Sequence, residues 1–226
     1  MKIAIVACLH GTEPFGIKVI SKLKKLYLKE LGFFIVNRKA LEQKKRFIDI
    51  DMNRCFPGDS NSKKYEERIA RKLLTDLYNY DYIIDIHSSS SNTPPIAIIT
   101  KKTRENIDLA IKTGIKKICF MSSEFASGKS LIDHVKKGIS LEVGNHDDPT
   151  LVKKTYDLIC NLLINLRLTN GSKTKNNPEF YEIIGLEKSM NLKLKDFEKY
   201  HNYYPVLVDE TSYTNIKCLK AKKINL

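Results

Sequence analysis

The stretch KIAIVACLHGTE, residues 2–13, joins an apolar run to a polar turn. The β-branched and small apolar residues of Lys2–Ala7 predict a buried strand. Pro14 suits the first turn of a helix, and the apolar residues that recur after it predict a helix from about Pro14 to Leu31. A buried strand that runs through a polar turn into a helix is the repeating unit of an α/β protein.

The alternation of strand and helix continues along the chain. We predict further strands at Phe33–Val36, Tyr82–Ile86, Ile96–Thr100, Lys117–Met121 and Ile139–Val143, and helices at Ser62–Tyr78, Arg104–Thr113 and Pro149–Leu168. Such alternation favours a mixed, mostly parallel sheet that is covered by helices on both faces. The predicted fold class is therefore α/β.

The last sixty or so residues differ from the rest of the chain in composition and in the elements they predict. Thr169–Pro178 is rich in Asn, Gly, Ser and Lys, a composition typical of a boundary segment. Short strand-like segments follow it at Phe180–Ile184, Val206–Val208 and Ile216–Leu219. We therefore predict a main domain of residues 1–168 and a small β-rich C-terminal domain of residues 169–226.

The composition, with 42% hydrophobic and 29% charged residues, is that of an ordinary folded protein. No apolar run approaches the roughly 20 residues that cross a bilayer, and His10 interrupts the first run too early for a signal peptide. The five cysteines are scattered and form no CxxC pair, which is typical of reduced thiols. We expect a cytoplasmic protein that has no membrane partner.

The chain is basic, with a net charge of +13 from 39 Lys and Arg against 26 Asp and Glu. An excess of this size attracts nucleic acids and other anions. The lysines are spread over predicted helix faces, however, and no basic motif of a known nucleic-acid module interleaves them with aromatic residues. This pattern favours a solvated surface over a nucleic-acid interface.

Three polar clusters lie at the ends of predicted strands, where an open α/β sheet binds its ligands. His10 and Glu13 share one tight turn, Asp85 and His87 lie on the same side of a strand, and Glu142 ends a third strand. Two histidines and one glutamate are the protein ligands of one class of catalytic zinc site, and a further carboxylate can then move a proton. The alternative interpretation is that these histidines are hydrogen-bonded structural residues.

A fourth cluster is the loop segment RFIDIDMNRCFPG, residues 46–58. Its two arginines and its asparagine stand beside two aspartates. An arginine fork matches a carboxylate bidentately, so that this loop is a candidate clamp for a carboxylate substrate. A salt-bridged surface loop is the alternative.

Together the segments HGTE (10–13), RFIDIDMNRCFPG (46–58), DIHSS (85–89) and SLEVG (140–144) resemble the aspartoacylase/succinylglutamate desuccinylase family. These are zinc amidohydrolases related to the zinc carboxypeptidases. The segment YPVLVDETSY (204–213) is similar to a family segment that ends in a substrate-contacting tyrosine. The resemblance implies a zinc-carboxypeptidase-like fold and covers nearly the whole chain.

When the residue roles of the family are transferred to the matching motif positions, the resemblance implies one zinc ion per chain. Its ligands would be His10, Glu13 and His87, the general base would be Glu142, and Arg46 would stabilise the developing oxyanion. The resemblance also implies a role in substrate binding for Asn53, Arg54 and Tyr213.

Four further residues receive expected roles. Asp85 would orient a zinc histidine, as metal-bound histidines usually require, and Asp51 would hold the two flanking arginines. Relatives that act on N-acetylaspartate carry an additional arginine before the catalytic glutamate. Lys129 stands in that interval here and supplies charge without the bidentate fork, so we assign it to substrate binding. His146 either lines the pocket or lies on the surface at the entry to a helix.

The expected function is zinc-dependent deacylation of a small anionic N-acyl amino acid. Two other functions stay open from the sequence: a zinc carboxypeptidase that acts on a small peptide, and a non-catalytic basic binding protein. The sequence also leaves homo-oligomerisation open.

Overall fold

The strands of the chain form one sheet in a computed structural model that describes residues 1–173 and 176–226. They are β1 (Ile3–Ala7), β2 (Leu31–Ile35), β3 (Tyr82–Ser89), β4 (Ile96–Ile99), β5 (Lys117–Phe120), β6 (Gly138–Asn145), β7 (Glu179–Glu187), β8 (Tyr204–Val206) and β9 (Cys218–Ile224). Their order across the sheet is β2-β1-β3-β6-β4-β5-β7-β9-β8.

Helices cover the two faces of this sheet. They are α1 (Phe15–Lys24), α2 (Arg38–Glu42), α3 (Tyr65–Leu77), α4 (Arg104–Lys112), α5 (Leu131–His134) and α6 (Leu151–Asn165), with 3₁₀ turns at Met52–Arg54 and Ser123–Ala126. The short helices α2 and α5 were not predicted, because five and four residues carry almost no periodicity. In the described part of the chain, no helix combines the length and the apolar character that a bilayer span requires.

The first helix is shorter than predicted, since α1 ends at Lys24 and not near Leu31. Tyr27 has a left-handed backbone (φ 53°) and is 91% exposed, so the chain turns away from the helix there. The turn lets β2 begin at Leu31, in register with Ile3 of β1. The apolar residues that extended the predicted helix belong to this turn, where Leu26 packs against the core.

The sheet is mixed and mostly parallel, which confirms the predicted fold class. β1 pairs in parallel with both β2 and β3, and β3 pairs in parallel with β6, whereas β4 runs antiparallel to β6. Because parallel strands end at the same edge of a sheet, the carboxyl ends of β1, β3 and β6 meet at one edge. Each of the three polar clusters predicted at strand ends lies at this edge.

Alternate residues of β1 pack into two separate hydrophobic layers. Ile3 and Ile5 face the layer formed with α1, α4 and α6. Ala4 and Val6 face the opposite layer, which contains apolar residues of α3 and α5. Since every residue of β1 is buried, the strand reads as an unbroken apolar run, as expected for a strand covered on both faces.

The C-terminal strands continue the main sheet. β7 pairs in parallel with β5, and β9 then pairs antiparallel with both β7 and β8, so the predicted β-rich character of this region is confirmed. The predicted bounds of all three strands are wrong. β7 runs on to Glu187, β8 ends before Leu207, whose backbone is left-handed (φ 55°), and β9 runs from Cys218 to Ile224. The division of the chain at residue 168 stays a prediction, and residues 174 and 175 of the boundary segment lie outside the described residues.

Candidate active site

The turn after β1 and the end of β3 bring two histidines and one glutamate together. His10 Nδ1 lies 2.9 Å from Glu13 Oε1, and His87 Nδ1 lies 3.1 Å from Glu13 Oε2. All three side chains are buried, and one ligand atom from each lies within 4.8 Å of the other two. We call these three residues the ligand cluster.

A glycine makes the tight turn of the ligand cluster sterically accessible. A Cβ atom on Gly11 would lie 2.2 Å from the carbonyl carbon of Ala40. The Gly11 amide donates to the carbonyl oxygen of Arg46 at 3.1 Å. The turn that carries His10 and Glu13 is therefore packed against α2 and against the start of residues 46–58, which we call the arginine loop.

Each imidazole is held by a carboxylate on its far nitrogen. His10 Nε2 lies 3.0 Å from Asp51 Oδ1, and His87 Nε2 lies 2.7 Å from Asp85 Oδ2. A histidine that donates Nε2–H to a carboxylate keeps the lone pair of its Nδ1 for another partner. Both Nδ1 atoms face Glu13, so these contacts orient two lone pairs into the cluster.

The charges around the imidazoles favour a cation. Burial alone would raise the pKa of Glu13, but the two imidazoles hold it well below its usual range. Burial also opposes protonation of the imidazoles, yet Glu13 and Asp51 raise the pKa of His10, and Asp85 and Glu13 raise that of His87. Three carboxylates therefore surround the two imidazoles, and this field stabilises positive charge.

The residues of the ligand cluster fit a divalent metal. Two imidazole nitrogens and one carboxylate form the His₂Glu donor set of catalytic zinc sites, which leaves further positions for water and substrate. Two nearby carboxylate oxygens, Asp85 Oδ1 and Glu142 Oε2, are buried and have no hydrogen-bond partner among the described residues. Buried unpaired carboxylate oxygens are rare, and they point to a ligand at the site.

Glu142 stands directly beside the ligand cluster. β3 and β6 pair so that His87 lies opposite Glu142. Burial raises the pKa of Glu142 to about 7, and the negative charge of Glu13 adds to this rise while His87 opposes it. A carboxyl group with a pKa near neutrality is suited to accept and return a proton.

Asp51 connects the arginine loop to the ligand cluster. Its Oδ2 accepts from Arg46 Nε at 2.9 Å, while its Oδ1 contacts His10 Nε2 and accepts from the Asn53 amide at 2.9 Å. The sequence assigned Asp51 to both flanking arginines, whereas the structure pairs it with Arg46 and a histidine. The guanidinium of Arg46 is thereby fixed next to the cluster.

Arg54 and Asn53 present their polar groups differently. Arg54 Nη1 donates to the Asn53 carbonyl oxygen at 2.8 Å, and in the described chain its guanidinium forms no ion pair. Asn53 Oδ1 accepts from the Leu131 amide at 2.9 Å, which ties the loop to α5. The remaining Arg54 donors are thus available to an external carboxylate.

These side chains line one cavity at the edge of the sheet. His10, Arg46, Asn53, Arg54, Glu142 and Tyr213 contribute to it, together with residues on or next to β4, on β6 and in the segment 121–132. Tyr213 is partly buried, the loss of solvent around it raises the pKa of its phenol, and Arg54 opposes this rise. The tyrosine therefore enters the cavity as a neutral hydrogen-bond donor.

Residues 1–163 match the family described as succinylglutamate desuccinylase/aspartoacylase catalytic domain. The chain belongs to this family. The resemblance inferred from the four motifs is thereby confirmed.

Relatives and solved structures agree with the family match. The chain is 27% identical to a probable aspartoacylase from Nostoc over 211 residues, 83% of this chain and 70% of that protein. It is 28% identical to N-acyl-aromatic-L-amino acid amidohydrolase (carboxylate-forming) B from Danio rerio over 171 residues, 63% of this chain and 54% of that protein. The crystal structure of murine aminoacylase 3 superposes with a TM-score of 0.79 at 18% identity, covering 99% of this chain and 95% of that one, which shows a shared fold.

Two residues considered from the sequence lie outside the cavity. The Lys129 side chain is exposed, and its carbonyl oxygen accepts from the Phe56 amide. The structure therefore does not bring Lys129 to the arginines. His146 Nδ1 lies 2.7 Å from Ser88 Oγ at the end of β6, so this histidine is tied to the strand that carries His87.

Sequence reasoning missed the residue that builds the arginine loop. Glu66 is fully buried in the first turn of α3 and accepts hydrogen bonds from three backbone amides, those of Ile48, Asp49 and Ile50. Its Oε1 also accepts from Asn37 Nδ2. In the sequence, Glu66 looks like one more acidic residue at a helix start, because its partners lie in a separate segment.

A second missed pair positions Tyr213. The buried carboxylate of Glu210 accepts from both the amide and the hydroxyl of Ser90, at 2.8 and 3.0 Å, and the Ser90 hydroxyl accepts from the Thr211 amide. Ser90 follows directly after the strand that carries His87. These bonds hold the C-terminal segment against the sheet edge and place its tyrosine at the cavity.

Proposed function

We propose that this chain is a zinc-dependent amidohydrolase that removes the acyl group from an N-acyl amino acid. The observation that carries the proposal is the ligand cluster with Glu142 beside it and the Arg54 fork in the same cavity. The family match and the relatives named as aspartoacylases and amidohydrolases support it.

His10, Glu13 and His87 would hold the metal through Nδ1, a carboxylate oxygen and Nδ1. When bound, zinc lowers the pKa of its water to about 7 and polarises the scissile carbonyl as a Lewis acid. Asp51 and Asp85 fix the two imidazole rings through their Nε2 atoms, so that the donors are oriented before the metal binds.

Glu142 would act as the general base and then as the general acid. Its carboxylate accepts a proton as water attacks the amide carbon, and it returns the proton to the nitrogen of the departing amine. A C–O bond forms, the C–N bond breaks, and the products are a carboxylate and a free amino acid. A pKa near 7, which burial produces, lets one group serve in both directions.

The two arginines would divide the negative charges of the substrate. Arg46, fixed by Asp51 close to His10, would stabilise charge that develops on the carbonyl oxygen. Arg54, whose fork is otherwise unpaired among the described residues, would bind the α-carboxylate with Asn53, while Tyr213 would close the cavity.

The proposal is tested by identifying the products. We expect the zinc-loaded protein to convert N-acetyl amino acids to acetate and free amino acid, and a chelator to abolish this reaction reversibly. Release of an amino acid from a dipeptide, without hydrolysis of any N-acyl amino acid, would instead indicate a carboxypeptidase. Salt-sensitive binding to nucleic acid together with no hydrolysis would indicate the basic binding protein.

A further inference from the structure

One side of the cavity contains no charged side chain to receive a second carboxylate. We define the pocket wall as Ile98, Thr100, Met121, Ile132 and Ser140, which line the cavity on β4, α5 and β6 and directly after β4 and β5. These are apolar side chains and hydroxyl groups. The pocket wall therefore carries no charge of its own.

The backbone register places the pocket wall on the side of Glu142 that faces away from β3. Ile98 of β4 lies opposite Ser140 of β6, and Ser140 is two residues before Glu142 on the same side of that strand. His87 of β3 lies on the other side of Glu142. A substrate whose amide is held at Glu142 thus extends one of its ends toward the pocket wall.

The cations of the cavity come from a different segment of the chain than the pocket wall. Arg46 and Arg54 come from the loop that contacts His10 through Asp51. Among the described residues that line the cavity, these two arginines are the basic side chains besides His10. Arg46 is already paired with Asp51. One fully available guanidinium therefore remains, and it suffices for one carboxylate.

Lys129 does not supply the missing charge at the pocket wall. Its side chain is exposed, although Ala126 and Ser130 of the same segment line the cavity. A substrate carboxylate against the pocket wall would lose its water and gain no cation in exchange, which is strongly unfavourable. An uncharged group there would not lose the strong hydration of a charge, and the burial of its apolar surface would favour binding.

From these observations we infer that the substrate carries a single carboxylate: it is an N-acyl amino acid whose side chain and acyl group are both uncharged. This inference rests on the proposed function, because it concerns the same cavity. It excludes N-acylaspartate, N-acylglutamate and N-succinyl amino acids as preferred substrates.

Matched substrates isolate the charge. N-acetyl-L-glutamine and N-acetyl-L-glutamate differ in one charge at nearly equal size, and N-butyryl-L-methionine and N-succinyl-L-methionine make the same comparison in the acyl group. We expect kcat/KM of the zinc-loaded enzyme to favour the uncharged member of each pair by at least about 100-fold. Equal rates, or a preference for the dicarboxylate, would overturn the inference.

A variant tests whether the pocket wall sets this preference. Thr100 is partly buried and lines the cavity, and its Oγ1 has no hydrogen-bond partner among the described residues, so a substitution there breaks no hydrogen bond and introduces the new side chain at the cavity. We expect Thr100→Lys to shift the glutamate-to-glutamine ratio at least about tenfold toward glutamate. The matched control Thr75→Lys on the exposed face of α3 is expected to keep the wild-type ratio. An unchanged ratio in Thr100→Lys would contradict the assignment of the wall.

Binding separates this inference from the proposed function. Calorimetry on the zinc-loaded Glu142→Gln variant measures the dissociation constants of the same paired compounds without turnover. If the wild-type enzyme hydrolyses none of them, the proposed function fails, while tighter binding of the uncharged members still supports the inference. Tighter binding of the dicarboxylates overturns the inference whether or not hydrolysis occurs.

Discussion

The ligand cluster and the pocket wall belong to one cavity but differ in how firmly their side chains are held. In the cluster, each imidazole contacts a carboxylate through both ring nitrogens, with Glu13 between the two rings. On the pocket wall, Thr100 Oγ1 has no hydrogen-bond partner in the described chain, and the apolar side chains are held by packing alone. The comparison indicates that the chemistry of the site is specified by many mutually dependent contacts, whereas its substrate preference depends on a few replaceable side chains.

The largest expected effect comes from Glu142, which lies between these two regions. We expect Glu142→Gln to lower kcat by about 10³-fold, because the amide keeps the shape of the side chain and cannot accept the proton. Zinc content, measured on the same preparation, should stay at the wild-type level. Loss of zinc in this variant would make Glu142 a metal ligand and would contradict its assignment as the base.

Arg54→Lys tests the fork on the loop side of the cavity. Lysine keeps the charge and loses the paired donors, so we expect kcat/KM to fall about 10–100-fold, mainly through a higher KM. Arg71→Lys on the exposed surface of α3 is the matched control. A fall confined to kcat would show that Arg54 acts on the transition state and not on the bound carboxylate.

Asp85→Asn tests the carboxylate that orients His87 of the ligand cluster. Since Asp85 Oδ2 contacts His87 Nε2 at 2.7 Å, we expect the affinity for zinc to fall about 10–100-fold. The readout is a competitive titration with a chromogenic chelator. An affinity equal to wild type would mean that the contact does not orient the histidine.

How much of this site the sequence predicts depends on the distance along the chain over which its contacts act. The pairs His10–Glu13 and Asp85–His87 were predicted because a tight turn and the alternation of a strand set them locally. The contacts of Glu210 with Ser90 bridge 120 positions, and no local pattern encodes them. No local pattern encodes the exposure of Lys129 either. Its charge is evident in the sequence, but whether its side chain reaches the cavity depends on how its segment packs.

The strands themselves were predicted well where they are buried on both faces, and less well where turns carry apolar residues. β1 reads as an uninterrupted apolar run, whereas the turn at Tyr27 continues the apolar spacing of α1 and was mistaken for helix. In the C-terminal strands, left-handed residues such as Leu207 end the pairing without a glycine to mark the position.

The last expected effect concerns the stability of the fold and not the reaction. Burial raises the pKa of Asp196 to about 6, although Ser91 and the Val208 amide donate to its carboxylate. The folded state therefore holds this proton more tightly than the unfolded chain, and the stability contributed by protonation is lost as the pH rises from about 4 to about 6.

Asp196→Asn removes this titration. We expect its free energy of unfolding, measured by urea denaturation, to rise relative to wild type between pH 4 and pH 7, by at most about 3 kcal/mol. If the free energies of unfolding of the two proteins keep a constant difference over this pH range, the raised pKa is contradicted.

The most direct test of the ligand cluster is the metal content of the purified protein and of two histidine variants, measured by mass spectrometry after incubation with zinc and gel filtration. Wild type and His201→Ala, a change at an exposed histidine, should each retain one zinc ion per chain, and His87→Ala should retain almost none. Full zinc content in His87→Ala, or none in wild type, would contradict the account of the site.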